Sequence, residues 1–459
     1  MKTQQQLLSL CQHYNLILIE ETEDTLRIAA RDKPDEQMYQ ALRFLCNKHI
    51  DVELWPVERL EKWQTGQTLR QPEQEGDGSI VALLDSTLAA AVQQRASDIH
   101  FEPCEEVYRI RLRIDGVLQC QPLLPPSVAA PMTARLKVLA NLNIAERRLP
   151  QDGQMDYHVG EVKASFRVST LPCRYGEKVV LRLLQQGRNN LDMSLLGMPP
   201  AETEQFRQSL SVPQGMILVT GPTGSGKTIT LYSALDVLNQ PGINVCSVED
   251  PVEIPQDGLN QTQVNPKAGI TFQNILRALL RQDPDVIMVG EIRDSETAEI
   301  AIKAAQTGHL VLSTLHTNST VETLTRLEQM SIPRWMLASA VNLIVAQRLV
   351  RKLCPHCKTL GDTPLELPVH IWPTALPHWR ATGCERCYRG YYGRTALFEM
   401  LPLSPALRSA ITGGEPAENI ESLARRQGMA TLFESGCRAV ERGHTTLEEL
   451  YRVLGMPHD

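Results

Sequence analysis

The sequence predicts an α/β protein organised around a parallel sheet, and three observations lead there. From about Ser194 onward, short apolar runs alternate with amphipathic helical stretches. One such run, residues 216–220, leads directly into Gly221-Pro-Thr-Gly-Ser-Gly-Lys227-Thr228 and then into a helical stretch over 228–238. Two C-x₂-C pairs, Cys354/Cys357 and Cys384/Cys387, then interrupt the rhythm with a module of a different kind.

With 459 residues the chain is too long for one core, and six segments are expected. Residues 1–62 read as a small mixed domain. Leu7, Leu8 and Cys11 form a helical stripe there, and residues 16–19 and 25–28 look like short strands. A Gln-, Gly- and Glu-rich stretch, 63–79, reads as a linker. A second domain, 80–192, opens with a helix ending near Ala96. It continues into a strand at 107–114 that turns at Asp115-Gly116. The α/β core covers 193–351, the cysteine module 352–392, and a mostly helical region 393–459. Hydrophobic residues make up 42% and the formal charge is −7, which argues against a chain that coats nucleic acid. Residues 1–20 lack the pattern of a signal peptide and no apolar run reaches membrane-spanning length. The expected location is therefore the cytoplasm, where 11 cysteines serve metal binding or packing rather than disulfides.

The glycine-rich loop carries the clearest chemistry. Gly221, Gly224 and Gly226 let backbone amides curl around phosphate oxygens, and the helix that follows adds the positive end of its dipole. Residues Gly221, Pro222, Thr223, Gly224, Ser225, Gly226, Lys227 and Thr228 are thus the expected cradle for ATP. Lys227 would reach the β- and γ-phosphates, and the Thr228 hydroxyl would ligate Mg²⁺. A neighbouring strand, 286–289, ends in Gly290-Glu291. An acid at the carboxyl end of a parallel strand stands where such sheets bind ligands, so Glu291 is expected to act on Mg²⁺-bound or attacking water. Residues 248–253 end another strand in Glu249, Asp250 and Glu253. His309 and His316 bracket a third, and taken alone each fits a core or capping role as well as a catalytic one.

Four thiolates in two C-x₂-C knuckles suit tetrahedral zinc with no open position, so Cys354, Cys357, Cys384 and Cys387 are expected to hold a structural Zn²⁺. Lys352 and Lys358 flank the first knuckle and would offset its charge. Arg109, Arg111 and Arg113 alternate along one strand and so share a face, and Arg167 and Arg182 mark another strand pair. Arginines in such rows are commonly solvated or ion-paired, and the alternative is an arginine finger offered to a neighbouring subunit's nucleotide.

The ordered set of segments resembles the type II secretion and type IV pilus assembly ATPases over roughly 80–455. The resemblance rests on residues 96–103, 113–116, 166–170 and 176–177, on the phosphate loop, and on 248–253, 280–285, 290–294 and 307–316. The four cysteines and 390–394 complete it. It implies a RecA-like core preceded by a PAS-like α+β domain. It makes Glu253 a candidate general base and Glu291 a Walker B glutamate. His309 and His316 become nucleotide-sensing histidines, and Arg167 and Arg182 become arginines that reach the site from the preceding domain. It also implies a homo-hexameric ring at the cytoplasmic face of the inner membrane, working on a membrane platform protein and a recruitment domain of the machinery. ATP hydrolysis would then drive pilin or pseudopilin assembly, with no direct nucleic-acid contact. The tetracysteine module favours assembly over retraction. The alternatives are a DNA-uptake or conjugation motor, disfavoured by the acidic charge, and an ATP-binding scaffold without turnover, disfavoured by the intact Glu253 and Glu291. The short N-terminal region shows no cyclic-dinucleotide-binding module.

Overall fold

The computed structural model describes residues 17–21, 25–30, 49–55, 77–159, 162–184 and 191–456. The helical stripe expected at Leu7, Leu8 and Cys11 and most of the 63–79 linker lie outside them. The chain divides into two compact units, Met1–Gly187 and Arg188–Asp459.

The first unit contains two sheets. A small one joins β1 (Ile17–Glu21) antiparallel to β2 (Thr25–Ala30), and β2 parallel to β3 (His49–Leu54). The larger one follows helix α1 (Asp77–Gln93) and comprises β4 (Asp98–Pro103), β5 (Tyr108–Ile114), β6 (Val117–Cys120), β7 (Gln151–Val159), β8 (Val162–Cys173) and β9 (Gly176–Leu184). Its order is β6-β5-β4-β9-β8-β7, antiparallel throughout. Helix α2 (Ala129–Leu139) joins α1 over one face. There Leu84, Leu88, Met132 and Leu136 bury against Ile99, Phe101, Ile110, Leu112, Phe166 and Leu181. Alternation on β5 is complete, with Tyr108, Ile110, Leu112 and Ile114 buried and Arg109, Arg111 and Arg113 on the other face.

The second unit is a sheet sandwiched by helices. Helix α3 (Pro200–Leu210) precedes β10 (Gly215–Thr220) and α4 (Lys227–Leu238), followed by β11 (Val245–Glu249), β12 (Asn260–Gln263) and α5 (Phe272–Leu279). Next come β13 (Val286–Val289), α6 (Ser295–Gln306), β14 (Leu310–Leu315), α7 (Thr320–Gln329), α8 (Arg334–Ala340) and β15 (Val341–Leu353). The sheet order is β12-β11-β13-β14-β10-β15-β18, where β18 is Tyr391–Pro402, and it is parallel except for that last strand. Both faces are covered, so the central strands are apolar on both sides. Met216, Leu218, Ile287 and Val311 face one core, while Ile217, Val219, Met288 and Leu312 face the other.

The stretch expected to be mostly helical after residue 392 begins differently. β18 (Tyr391–Pro402) runs antiparallel to β15 from Leu343↔Pro402 to Leu353↔Tyr391. Leu397, Phe398, Met400 and Leu401 bury their side chains in succession. Such a run is apolar on both sides and lacks the alternation that marks a half-buried strand. Helices α9 (Pro405–Thr412), α10 (Ala417–Arg426), α11 (Leu432–Glu441) and α12 (Leu447–Leu454) follow.

The cysteine module is therefore the connection of a long β15–β18 hairpin, with its own two-stranded ladder of β16 (Lys358–Leu360) and β17 (Trp379–Ala381). The far end of β15 is tied to α12 by a buried carboxylate. Glu449, 1% exposed, accepts from the Arg351 amide at 3.0 Å and from its guanidinium at 2.7 Å, and pairs with Arg452 at 2.6 Å. Burial pushes this carboxyl up, but the Arg452 and Arg351 hydrogen bonds outweigh it and hold the group below the usual carboxylate range. Among the described residues no helix is long and apolar enough to cross a membrane.

Candidate active site

The carboxyl ends of β10, β11, β13 and β14 meet at one edge of the parallel sheet, where such folds bind ligands. β10 ends at Thr220, and its hydroxyl meets the Thr317 hydroxyl at 2.6 Å, fastening the end of β10 to the turn after β14. The chain then enters the phosphate loop. Gly221, Gly224 and Gly226 all have positive φ, at 149°, 80° and 91°. A Cβ at Gly221 would come within 2.5 Å of the Gln347 carbonyl oxygen, so glycine is required there for space as well as conformation.

Lys227 opens α4 and is 8% exposed; Thr228 beside it is exposed. The lysine ammonium donates to the loop's own carbonyls, Gly221 at 2.7 Å and Pro222 at 3.1 Å. Burial pulls it down to about 8, Glu291 opposes that, and Arg348 adds to it. A lysine that must be charged to hold phosphate thus works below about pH 8. Nucleotide affinity of the free protein is expected to be flat on the acid side of that value and to fall by up to tenfold per pH unit above it. Titration with a fluorescent ATP analogue between pH 6.5 and 9.5 reads this directly, and an affinity unchanged to pH 9.5 would refute it.

Glu291 stands just past β13, its side chain 17% exposed. One oxygen accepts from Arg293 and the other lies 3.5 Å from His316 Nε2. Asp294 then caps α6 through the Thr297 amide at 2.8 Å, which makes the strand-to-helix turn tight and fixes where Glu291 leaves it. Burial holds His316 below its ordinary value, as does Lys227, although Glu291 pulls the other way. Lys227, Glu291 and His316 therefore form one electrostatic group. Glu253 is exposed on the loop after β11.

His309 is not brought to this group. It precedes β14 whereas His316 follows it, so the two stand roughly 20 Å apart along the strand. His309 Nδ1 lies 3.0 Å from the Ala304 carbonyl oxygen, closing the end of α6 at the amino edge of the sheet. In the first unit Arg167 and Arg182 are exposed and directly opposite each other on β8 and β9. Arg182 pairs with Asp98 at 2.9 Å; like charges side by side on a sheet are unfavourable unless an anion joins them.

Sequence reasoning missed the support beneath the loop. Arg348 and Gln347, on β15, are 7% and 2% exposed. Arg348 donates to the Asn318 and Gln347 carbonyls, each at 3.0 Å, and Gln347 Oε1 accepts from Thr230 of α4 at 2.7 Å. The only available signal was a pair of polar residues ending an apolar run.

The four cysteines converge with all Sγ atoms within 4.8 Å of one another. Cys354–Cys384 is 3.9 Å, Cys357–Cys387 3.6 Å and Cys384–Cys387 3.7 Å. A tetrahedron with Zn–S bonds of about 2.3 Å has edges of about 3.8 Å, so the set fits that ion. The Lys358 ammonium donates to the Gly443 carbonyl at 2.8 Å and lies 4.8 Å from the Trp379 ring centre.

A phosphate loop at the carboxyl end of a parallel strand, with an acid just past β13 two places along the same sheet, defines a P-loop nucleotide-binding protein. The family model described as "Type II/IV secretion system protein" matches residues 73–452, and the chain belongs to that family. It is 58% identical over 455 residues to the protein transport protein HofB homolog of Escherichia coli K12, covering 99% of both chains. It is 48% identical over 383 residues to the type IV pilus assembly ATPase PilB of Pseudomonas aeruginosa, covering 82% of this chain and 68% of that one. Against the type II secretion system ATPase E of Vibrio cholerae the identity is 44%, covering 83% and 76%. Among solved structures, the pilus retraction motor PilT with bound ADP matches at TM-score 0.55 and 26% identity, covering 82% of this chain and 97% of that one. The Legionella pneumophila ATPase DotB matches in fold at TM-score 0.60 and 21% identity, covering 83% and 97%.

Proposed function

We propose that this protein is a Mg²⁺-dependent ATPase motor that works as a homo-hexamer and drives assembly of pilin or pseudopilin subunits. The observation that carries the reading is the meeting of Lys227, Glu291 and His316 at the phosphate loop. Residues 221–228 hold the phosphates, and Thr228 with Glu291 holds Mg²⁺, directly and through water. Glu253 accepts the proton of the attacking water, and Glu291 with His316 orients that water. Mg²⁺ when bound supplies charge neutralisation for the phosphates. The second unit is RecA-like in this reading and the larger sheet of the first unit PAS-like, with boundaries at 80–192 and 193–351. Cys354, Cys357, Cys384 and Cys387 hold Zn²⁺ as a structural brace. The protein acts in the cytoplasm at the inner membrane, with a platform protein and a recruitment domain as partners.

Arg167 and Arg182 complete the site by meeting charge that develops on the γ-phosphate. Changing either to Ala is expected to lower turnover at least tenfold while nucleotide affinity stays within twofold. Mixing the impaired Arg182→Ala protein with Lys227→Ala protein then tests whether the arginines act across subunits. Recovery of turnover in the mixture supports that; a strictly additive residue of activity contradicts it.

A further inference from the structure

One buried network joins the phosphate-loop helix to β11 and β12. Tyr232, on the second turn of α4, is 1% exposed, and Glu249, the last residue of β11, is 4% exposed. The Tyr232 hydroxyl donates to one Glu249 oxygen. The other accepts from Ser247 Oγ at 2.5 Å and from Gln261 Nε2 at 3.2 Å. Gln261 reaches further. Its amide nitrogen lies 3.3 Å from the Tyr232 oxygen and donates to the Ile254 carbonyl at 3.1 Å, and its carbonyl accepts from the Gln256 amide at 2.8 Å. The Ile254 amide in turn donates to the Tyr232 oxygen at 3.4 Å, with the Glu253 amide beside it.

Every donor and acceptor here belongs either to the phosphate-loop helix, to β11 and β12, or to the backbone that carries Glu253. An apolar filling would spare the cost of desolvating a carboxylate, so the network's use lies in fixing position rather than in adding stability. Tyr232 stands five residues beyond Lys227 on the same rigid helix. A shift of that helix therefore moves the phenol, and the phenol holds the backbone at 253–254.

We propose that Tyr232, Glu249 and Gln261 form a latch that sets the position of Glu253 according to the state of the phosphate loop. They are positioning residues, acting through Glu253, and the proposal rests on Glu253 being the group that activates water. The test is a mutant cycle on full-length protein, reading kcat and KM for ATP together with affinity for a fluorescent ATP analogue. Tyr232→Phe removes one hydroxyl and keeps the ring; Gln261→Met removes the clamp from the loop side, in case the first variant folds poorly. Either is expected to lower kcat about tenfold with nucleotide affinity unchanged within twofold. Glu253→Gln is expected to lower kcat by at least a hundredfold, and adding Tyr232→Phe to it should cost no more than a further twofold, because the latch has nothing left to position. If the Tyr232 and Gln261 variants keep parental kcat while Glu253→Gln is inactive, the latch fails and the role of Glu253 stands. If their losses multiply with that of Glu253→Gln, the latch does not act through Glu253. If Glu253→Gln keeps full turnover, the reading of Glu253 fails, and the latch with it.

Discussion

Glu291→Gln is expected to lower ATP turnover by about a thousandfold while leaving nucleotide bound. The carboxylate sits between three groups that lose their common partner when it becomes an amide. Arg293 loses a charged acceptor, His316 the oxygen 3.5 Å from its Nε2, and Lys227 a negative charge that supports its protonation. Removing a positioned acid or base costs on the order of 10²–10⁴ in rate. The sign of a second effect follows from the same contacts. Glu291 raises the lysine against burial and Arg348, so without it Lys227 titrates below about 8. The alkaline limit of nucleotide binding should therefore move to lower pH in the variant. Steady-state phosphate release and analogue titration across pH check both statements. Parental turnover in the variant, or an alkaline limit shifted upward, would contradict them.

Removing the metal from the tetracysteine site is expected to lower the thermal midpoint by about 10 °C or more, because structural zinc binding contributes folding free energy directly. Cys354 follows β15 immediately, and Cys384 and Cys387 lie just before β18, so four thiolates close a hairpin whose strands belong to the main sheet. Elemental analysis should give one zinc per chain, and Cys384→Ser should abolish it. Nucleotide binding should survive, since Gln347 and Arg348 are held to α4 and Asn318 by bonds that do not involve the module. A metal-free protein with the parental melting curve would refute the structural role.

What the sequence revealed and what it concealed divide along physical lines. The phosphate loop was legible because its conformation is local: three glycines with positive φ and a lysine at a helix start define it without help from elsewhere. The cysteine pairs were legible because metal geometry fixes their spacing. Arg348 and Gln347 were concealed because their partners, Asn318 and Thr230, lie 30 and 117 residues away and only the fold brings them together. Tyr232 was concealed for a related reason: a tyrosine among apolar helix residues reads as core until the carboxylate against its hydroxyl is seen. β18 reads as part of a helical region in the sequence because a strand buried on both faces shows no alternation. His309 and His316 looked equivalent in the sequence, and a six-residue strand between them puts them at opposite edges of the sheet.

The loop from Gly221 to Thr228 is proposed to bind and turn over ATP with Mg²⁺. Its most direct test is steady-state phosphate release by full-length protein over a range of protein concentrations, with and without Mg²⁺, against Lys227→Ala prepared in parallel. The expected result is Mg²⁺-dependent release that rises per chain as the oligomer forms and is absent from the lysine variant. Release that is no greater than that of Lys227→Ala at any concentration would contradict it.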